Sequence, residues 1–314
     1  ELSHRLNPKS KYTRAVVAGY PENAFFRHAV LENPSKARDE HFFNDFLKTQ
    51  YQIELATSSV AILNPGTGLP VDLEKVVPKE IILCGAHQRE FIDLQTALVS
   101  AGIYPDRLEL GTVSTLGALM HYQRAQQMGT SAVHLQWGAR SSLFTICSAK
   151  RVELSRVIPF GTAALMEEIK ADLHLKDDAM VQKVLSTGSF DFNEMGPLIL
   201  KRLIKELQAS AGFFEVQTGQ PLKHFVLTLL PSSLSWVEPI LNQYLGLTPL
   251  AIDYVGWGNT LGITTKEKVK LAELTRDLQQ SGQVLRLGGA GETLREVLEL
   301  TELHDQFEHF QDVT

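Results

Sequence analysis

Val133-His134-Leu135-Gln136-Trp137-Gly138-Ala139-Arg140-Ser141-Ser142-Leu143-Phe144-Thr145-Ile146 is the stretch on which the reading of this chain turns. Two apolar, β-branched runs flank a short polar link that contains Gly138, so the segment from Ser131 to Ile146 predicts a β-hairpin. A glycine turn of this kind can aim backbone N–H groups at an anion. The hydroxyls of Ser141 and Ser142 would add donors beside it. The plainer reading is an ordinary β-turn that holds no ligand.

Around the hairpin, strand and helix patterns alternate. Thr13 to Ala18 reads as a strand that Pro21 interrupts. Glu40 to Gln50 reads as a helix, with Phe42, Phe43, Phe46 and Leu47 at helical spacing. Ile53 to Leu63 reads as a strand ending at Asn64-Pro65-Gly66. Lys79 to Cys84 follows as a strand. Gln88 to Ala101 is a helix facing inward through Phe91, Leu94, Leu98 and Ala101, and Gly102 stops it. Leu108 to Leu110 is a short strand. Val113 to Gln127 is a helix with Leu116, Leu119 and Met120 inward, ended by Gly129.

Beyond the hairpin, Arg151 to Ile158 predicts a strand. Leu165, Ile169 and Leu173 mark a helix after Phe160-Gly161. Asp177 caps the next helix. Pro197 to Val216 predicts one long helix with its stripe at Leu200, Leu203, Ile204, Leu207, Ala211 and Phe214. His224 to Leu230 reads as a buried strand. Ser235 and Glu238 read as a capping box for a helix ending at Gly246. Leu250 to Ile252 reads as a strand. Hairpins interrupt the alternation, so the sheet is expected to be mixed rather than purely parallel.

The chain has 314 residues, 44% hydrophobic and 21% charged, with a net charge of -6. It is long enough to bury a substantial core. No dense Lys/Arg cluster appears, which argues against a nucleic-acid reader. Cys84 and Cys147 form no CxxC pair. They read as buried, inert thiols in a reducing compartment. No apolar run approaches the roughly 20 residues that span a bilayer, and no signal peptide is visible.

With these elements in order, the hairpin resembles the second phosphate loop of the actin-like ATPase superfamily, typically Asp-x-Gly-x-x-Thr. More narrowly, the chain is similar to the PilM family of type IV pilus assembly proteins, relatives of the division protein FtsA. Val16-Val17-Ala18-Gly19-Tyr20-Pro21 with Arg27 resembles that family's entry into a small extra subdomain. Ala101-Gly102-Ile103-Tyr104-Pro105-Asp106-Arg107-Leu108-Glu109-Leu110 resembles its return strand. The resemblance spans about residues 13 to 263. It implies an α/β, actin-like (ribonuclease-H-like) two-lobe architecture with a small extra subdomain, the first strands being missing or trimmed.

The implied organisation runs as follows. Residues 1–20 form a linker and the first remaining strand, and 21–101 the small subdomain with its return helix. Residues 102–130 complete the first lobe, 131–263 form the second, and 264–314 make a C-terminal αβα extension. The vestigial phosphate loop would comprise Gln136, Gly138, Ser141 and Ser142, with Ser232 on the adenosine side. Departures from the family pattern weaken that site. Gln136 stands where the family has a carboxylate, whose contact with a cation is on the order of 4 kcal/mol at ~4 Å and an effective dielectric of ~20. Leu229-Leu230-Pro231-Ser232-Ser233 replaces a Gly-Gly loop. Pro231 lacks a backbone donor, and the lost glycines no longer let backbone approach a ligand. No Asp-x-Gly first loop is present. No cofactor is therefore expected, and Mg-ATP should bind weakly at most.

Other constellations read as structural. Gly288-Gly289-Ala290-Gly291 lacks dinucleotide spacing. His304 and His309, with Asp305, Glu308 and Asp312, do not share a helical face. Asp172, His174, Asp177 and Asp178 read as capping and solvation. Ser141, His134 and Asp253 lack a nucleophile-elbow pattern. From Leu250 to Val313 the tail resembles the second half of a STAS domain, which would make Thr260 a phosphorylation switch.

The resemblance implies a cytoplasmic scaffold, peripheral to the inner membrane through a partner. That partner is an inner-membrane pilus protein with a short cytoplasmic tail, PilN-like. In the family the tail binds a groove between the core and the extra subdomain, here in the region Pro21 to Ala101. Alternatives are an actin-like ATPase whose first phosphate loop lies upstream of Glu1, or a STAS-like regulatory module. Monomer and homo-oligomer both remain open.

Overall fold

The computed structural model describes residues 13–187 and 190–261. They form two compact units: residues 13–122 with 254–261, and residues 123–187 with 190–253. The expectations placed on 264–314, among them the STAS-like tail, Gly288 to Gly291 and the His304/His309 cluster, lie outside the described residues. So does the side chain of Thr260.

The first unit holds two sheets. One pairs β1 (Thr13–Gly19) with β5 (Ile103–Leu110) in parallel. The other has the antiparallel order β2-β4-β3, made of Phe25–Val30, Glu80–His87 and Ser58–Leu63. Helix α1 (Glu40–Tyr51) covers one face of the second sheet. Phe43, Phe46 and Leu47 at i, i+3 and i+4 give it an apolar stripe, and they pack with Ala29, Ile81 and Leu83. Asp39 caps the helix by accepting from the N–H groups of His41 and Phe42. Helix α2 (Gln88–Ser100) leads to β5, and α3 (Gly111–Ala125) follows it. The short α9 (Tyr254–Thr260) sets Trp257 against α3, where its Nε1–H donates to His121 Nδ1 at 2.9 Å.

The second unit is built on the five-stranded order β10-β9-β6-β7-β8. The hairpin supplies β6 (Ala132–Gln136) and β7 (Ser142–Cys147), antiparallel as expected. β8 (Val152–Ile158) continues the meander. β9 (His224–Thr228) and β10 (Thr248–Pro249) return in parallel beside β6. An antiparallel meander flanked by parallel returns is the ribonuclease-H-like order that the resemblance implies. Between β8 and β9 lie α4 (Thr162–Asp172), α5 (Asp178–Thr187), α6 (Phe192–Ile199) and α7 (Lys201–Thr218). α8 (Val237–Leu245) precedes β10. Val133, Leu135, Phe144 and Ile146 face a core shared with Leu203, Leu207 and Phe214 of α7.

Several boundaries differ from the sequence expectation, each for a local reason. Residues 53–57 are not strand, because Gln52 turns left-handed at φ 57° and β3 starts only at Ser58. Pro197 to Val216 is two helices. Pro197 lies inside α6 and removes a donor, and the chain breaks at Leu200. The ladder resumes at once, since Leu200 N–H reaches Gly196 O and Ile204 N–H reaches Leu200 O. Gln127 at φ 51° turns the chain after α3, not Gly129. Ser235 and Glu238 make no capping box: the residue before α8 is Trp236, and no side chain caps it. Strand β10 is Thr248–Pro249 rather than Leu250 to Ile252. β5 is longer than Leu108 to Leu110. The inward residues of α2 are only half-buried, and none of its side chains is fully buried.

Both thiols are buried, and burial pushes each up to about 12. His134 is the buried titratable group of the central strand, fully inaccessible and in register with Thr145. Its Nε2 pairs with Thr228 Oγ1 at 2.8 Å, and its Nδ1 finds no partner among the described residues. Desolvation holds it down to about 4. Because the unfolded chain titrates near 6.5, it binds the extra proton first. The stability contributed by neutral His134 is therefore full above about pH 6.5 and is lost as pH falls toward 4. His134→Gln should flatten the pH dependence of unfolding in that window by up to about 1.4 kcal/mol per pH unit. Urea denaturation at stepped pH values measures this; an unchanged slope contradicts the assignment.

Candidate functional site

The hairpin tip is positioned by a contact the sequence does not advertise. Gly161 is the N-cap of α4 and offers no side chain to cap it. The carbonyls of Gly138 and Ala139 do so instead, accepting from Thr162 N–H at 3.0 Å and Ala163 N–H at 2.8 Å. A Cβ on Gly161 would stand 2.4 Å from Gly138 O and 2.8 Å from Ala139 O, so only glycine allows this approach. Gly138 is constrained likewise: its Cβ would meet Ser141 O at 2.2 Å. Side chains complete the clasp. Trp137 Nε1–H donates to Thr162 Oγ1 at 2.9 Å, and Ser142 Oγ–H donates to Phe160 O at 2.7 Å. The Trp137 and Phe160 rings meet edge to face at 6.1 Å.

The clasp changes what the tip can offer a ligand. A helix N-terminus binds anions through unsatisfied N–H groups. Here the hairpin's own carbonyls take the first two of them. Ser142 is buried and its proton is committed to Phe160 O. Gly138 is half-buried, and Ser141 is exposed at the tip beside Arg140. Gln136 is half-buried at the end of β6 and in register with Thr228 on β9.

β6 and β9 are parallel, so Gln136 and the turn after Thr228 lie at the same carboxyl end of the sheet. Open α/β sheets place ligands at such ends. The structure thus gathers Gln136, Gly138 and Ser141 at the hairpin tip and turns Ser142 inward. Ser232 stands exposed in the 3-10 turn Ser232–Leu234 that follows the neighbouring strand. Leu229 has φ 62°, a left-handed conformation. Glycine adopts it freely, whereas an L side chain pays roughly 1–2 kcal/mol. Leu229 therefore holds a backbone conformation that favours glycine.

The remaining acidic and nucleophilic candidates are accounted for by structure. Asp177 Oδ1 accepts from Met180 N–H, and Lys170 bridges Glu167 and Asp178. His134 is buried against Thr228 and presents no base to Ser141. Among the described residues no cluster of three or more His, Cys, Asp or Glu side chains is placed to hold a metal. None of the helices there is long and apolar enough to cross a membrane.

A second concavity lies within the first unit. α2 and β5 enclose a groove of roughly 340 Å3 whose apolar walls are Phe91, Ile92, Pro105 and Leu108. Gln88 and Gln95, two turns apart on α2, line it with amides. Ile92 is 55% exposed. No charged side chain lines the groove. The resemblance implies a tail-binding groove involving Pro21 to Ala101 without assigning anchors, and the β5 side of this concavity, Pro105 and Leu108, falls outside that range.

No protein-family model and no curated protein sequence matches the chain. Solved structures do. A chain of the PilM–PilN type IV pilus biogenesis complex superposes with a TM-score of 0.60 at 18% identity, covering 95% of this chain and 82% of its own. More distant is a Bacteroides thetaiotaomicron protein with an actin-like ATPase fold and unknown function, at TM-score 0.39 and 7% identity, covering 78% of this chain and 70% of that one. An archaeal actin homolog in complex with ADP gives 0.33 at 14%, covering 55% and 59%. The chain has the mixed α/β actin-like fold, and the first of these carries that statement.

The strain at Leu229 is measurable. Leu229→Gly should be more stable than Leu229→Ala by about 1 kcal/mol, since only glycine relieves the left-handed backbone. Thermal unfolding of the two variants side by side checks this; equal stability would show the turn to be relaxed.

Proposed function

We propose that the chain is a scaffold of a type IV pilus or related secretion assembly, docking the short cytoplasmic tail of an inner-membrane, PilN-like partner. It would then work in the cytoplasm, peripheral to the inner membrane through that partner. The observation that carries this reading is the likeness in fold, over 95% of the chain, to a chain of the PilM–PilN complex. The groove between α2 and β5 supports it. Its uncharged apolar walls and flanking amides suit an extended segment with apolar anchors, its backbone polar groups met by Gln88 and Gln95.

Nucleotide chemistry is not part of the proposed role. At the hairpin tip the N–H groups of α4 are spent on carbonyls, Ser142 is spent on Phe160, and Gln136 brings no charge to a metal ion. These features support weak or absent binding of Mg-ATP.

Two measurements test the reading. The N-terminal peptide of the PilN-like partner should bind the folded chain in a fluorescence-anisotropy titration. Ile92→Asp should weaken that binding at least about tenfold, or 1.4 kcal/mol, without lowering stability, because Ile92 is largely exposed. No binding by the folded protein counts against the scaffold role. Titration calorimetry with Mg-ATP should show no saturable heat at micromolar concentrations. A low-micromolar dissociation constant, about -8 kcal/mol, would overturn the degenerate-site reading and restore the ATPase alternative.

A further inference from the structure

Helix α7 buries one stripe and leaves the opposite one open in an unusual way. Leu203, Ile204, Leu207 and Phe214 lie in the core. Facing outward at spacings of three and four are Arg202, Lys205, Ala209, Gly212 and Val216. That spacing puts them on one face of the helix. Its C-terminal half is apolar: Phe213 is 59% and Val216 82% exposed. Just before the helix, Leu198 of α6 is 59% exposed. A solvated helix face is ordinarily charged or polar.

Four residues of this seam have a particular geometry. Ala209, Gly212, Phe213 and Val216 stand at i, i+3, i+4 and i+7. These are the four positions that frame a hole for a knob from a facing helix. Ala209 and Gly212 form a shallow floor, and a Cβ built on Gly212 meets nothing within 4 Å. Phe213 and Val216 form walls. A small floor lets a partner axis approach to about 8 Å, and the hole takes one large apolar side chain.

The other half of the seam carries charge of one sign. Lys201, Arg202 and Lys205 are all exposed, and the carboxylate flanking this stripe, Glu206, is half-buried. Arg202 is held by donating to Pro159 O at 2.7 Å. Lys201 and Lys205 have no ion pair among the described residues. The nearest acids are used elsewhere: Glu206 pairs with Arg156, and Glu215 accepts from Leu222 N–H. A cationic patch on a chain of net charge -6 is set against the molecule's own field.

We propose that the outer face of α7 docks an amphipathic helix of a partner protein, one that presents a large apolar residue to the Ala209–Val216 hole and carboxylates to Lys201, Arg202 and Lys205. Charge complementarity selects this occupant over a second copy of the chain. Two parallel copies of α7 would bring like cations together. Two antiparallel copies would press Arg202 and Lys205 against Phe213 and Val216 with no acid to meet them. The surface belongs to the second unit, the α2–β5 groove to the first, and the proposal requires no particular outcome for the tail-docking reading.

The test uses the full chain and a synthetic helix of about 21 residues, long enough to span ~30 Å. It carries a leucine seam flanked by glutamates; its control has lysines in their place. The glutamate helix should bind in a fluorescence-anisotropy titration, at least tenfold tighter than the lysine helix, and more weakly as salt rises. Val216→Glu and Lys205→Glu should each weaken it at least tenfold while leaving the circular dichroism spectrum and thermal midpoint unchanged, since both positions are exposed. Ile92→Asp should leave it unaltered. Equal affinity for both helices, no binding, or binding indifferent to Val216→Glu overturns the proposal. So does sedimentation velocity showing a dimer of the chain that Val216→Glu dissociates, which would assign the face to a second copy.

Discussion

The two hydrogen bonds from Thr162 and Ala163 to the carbonyls of Gly138 and Ala139 set what this end of the second unit can do. They join the tip of the hairpin to the start of α4, so the sheet and its first crossing helix are fixed at one point. They also settle a competition for donors. A helix start can give its N–H groups to an incoming anion or to its own protein. In this chain the protein takes the first two, and Ser142 makes the same choice with its hydroxyl. A structural cap and a phosphate cradle draw on the same groups. More of one leaves less of the other.

This constraint explains why glycine persists where a ligand-binding role would be the usual inference. Gly138 and Gly161 are required by backbone oxygens 2.2 and 2.4 Å from where a Cβ would stand. Neither has a positive φ. Their requirement is close approach within the protein, without reference to any ligand. Leu229 gives the converse case. There the backbone is left-handed at 62° while the glycine is absent. Such a strained conformation persists where the surroundings, here β9 and the Ser232–Leu234 turn, dictate the path.

The mixed character of the sheet was legible in alternation and turn chemistry, and its actin-like architecture in the resemblance. The Ser131 to Ile146 hairpin, Gly219 and Gly246 each did what local rules require. Boundaries failed where tertiary contact outranks propensity. Gly196 is one such place: a Cβ there would meet Ile240 Cδ1 at 2.4 Å, and Phe192 stacks on Trp236 at 4.2 Å. α6 is pinned to α8 by these contacts, so the single apolar stripe from Pro197 to Val216 is divided between two helices. At the candidate site, residue identity was readable and donor allegiance was not. Nothing local to Ser142 says that its partner is the carbonyl of Phe160, eighteen positions on.

The hairpin tip and the outer face of α7 differ in how their polar groups are satisfied. Several buried polar atoms of this unit, Ser131 Oγ, Thr145 Oγ1 and Asn242 Oδ1 among them, have no partner among the described residues, whereas the first N–H groups of α4 and the Ser142 hydroxyl at the hairpin tip are paired internally. α7 runs the other way. Its core face is packed with apolar side chains, yet its outer face carries exposed Phe213 and Val216, with Lys201 and Lys205 making no ion pair among the described residues. Groups that a fold leaves unsatisfied are where an external partner can gain the most free energy, since no internal contact need be broken first. On that criterion the α2–β5 groove and the α7 seam rank above the phosphate-loop hairpin, although the hairpin is the feature that most resembles a site in the sequence.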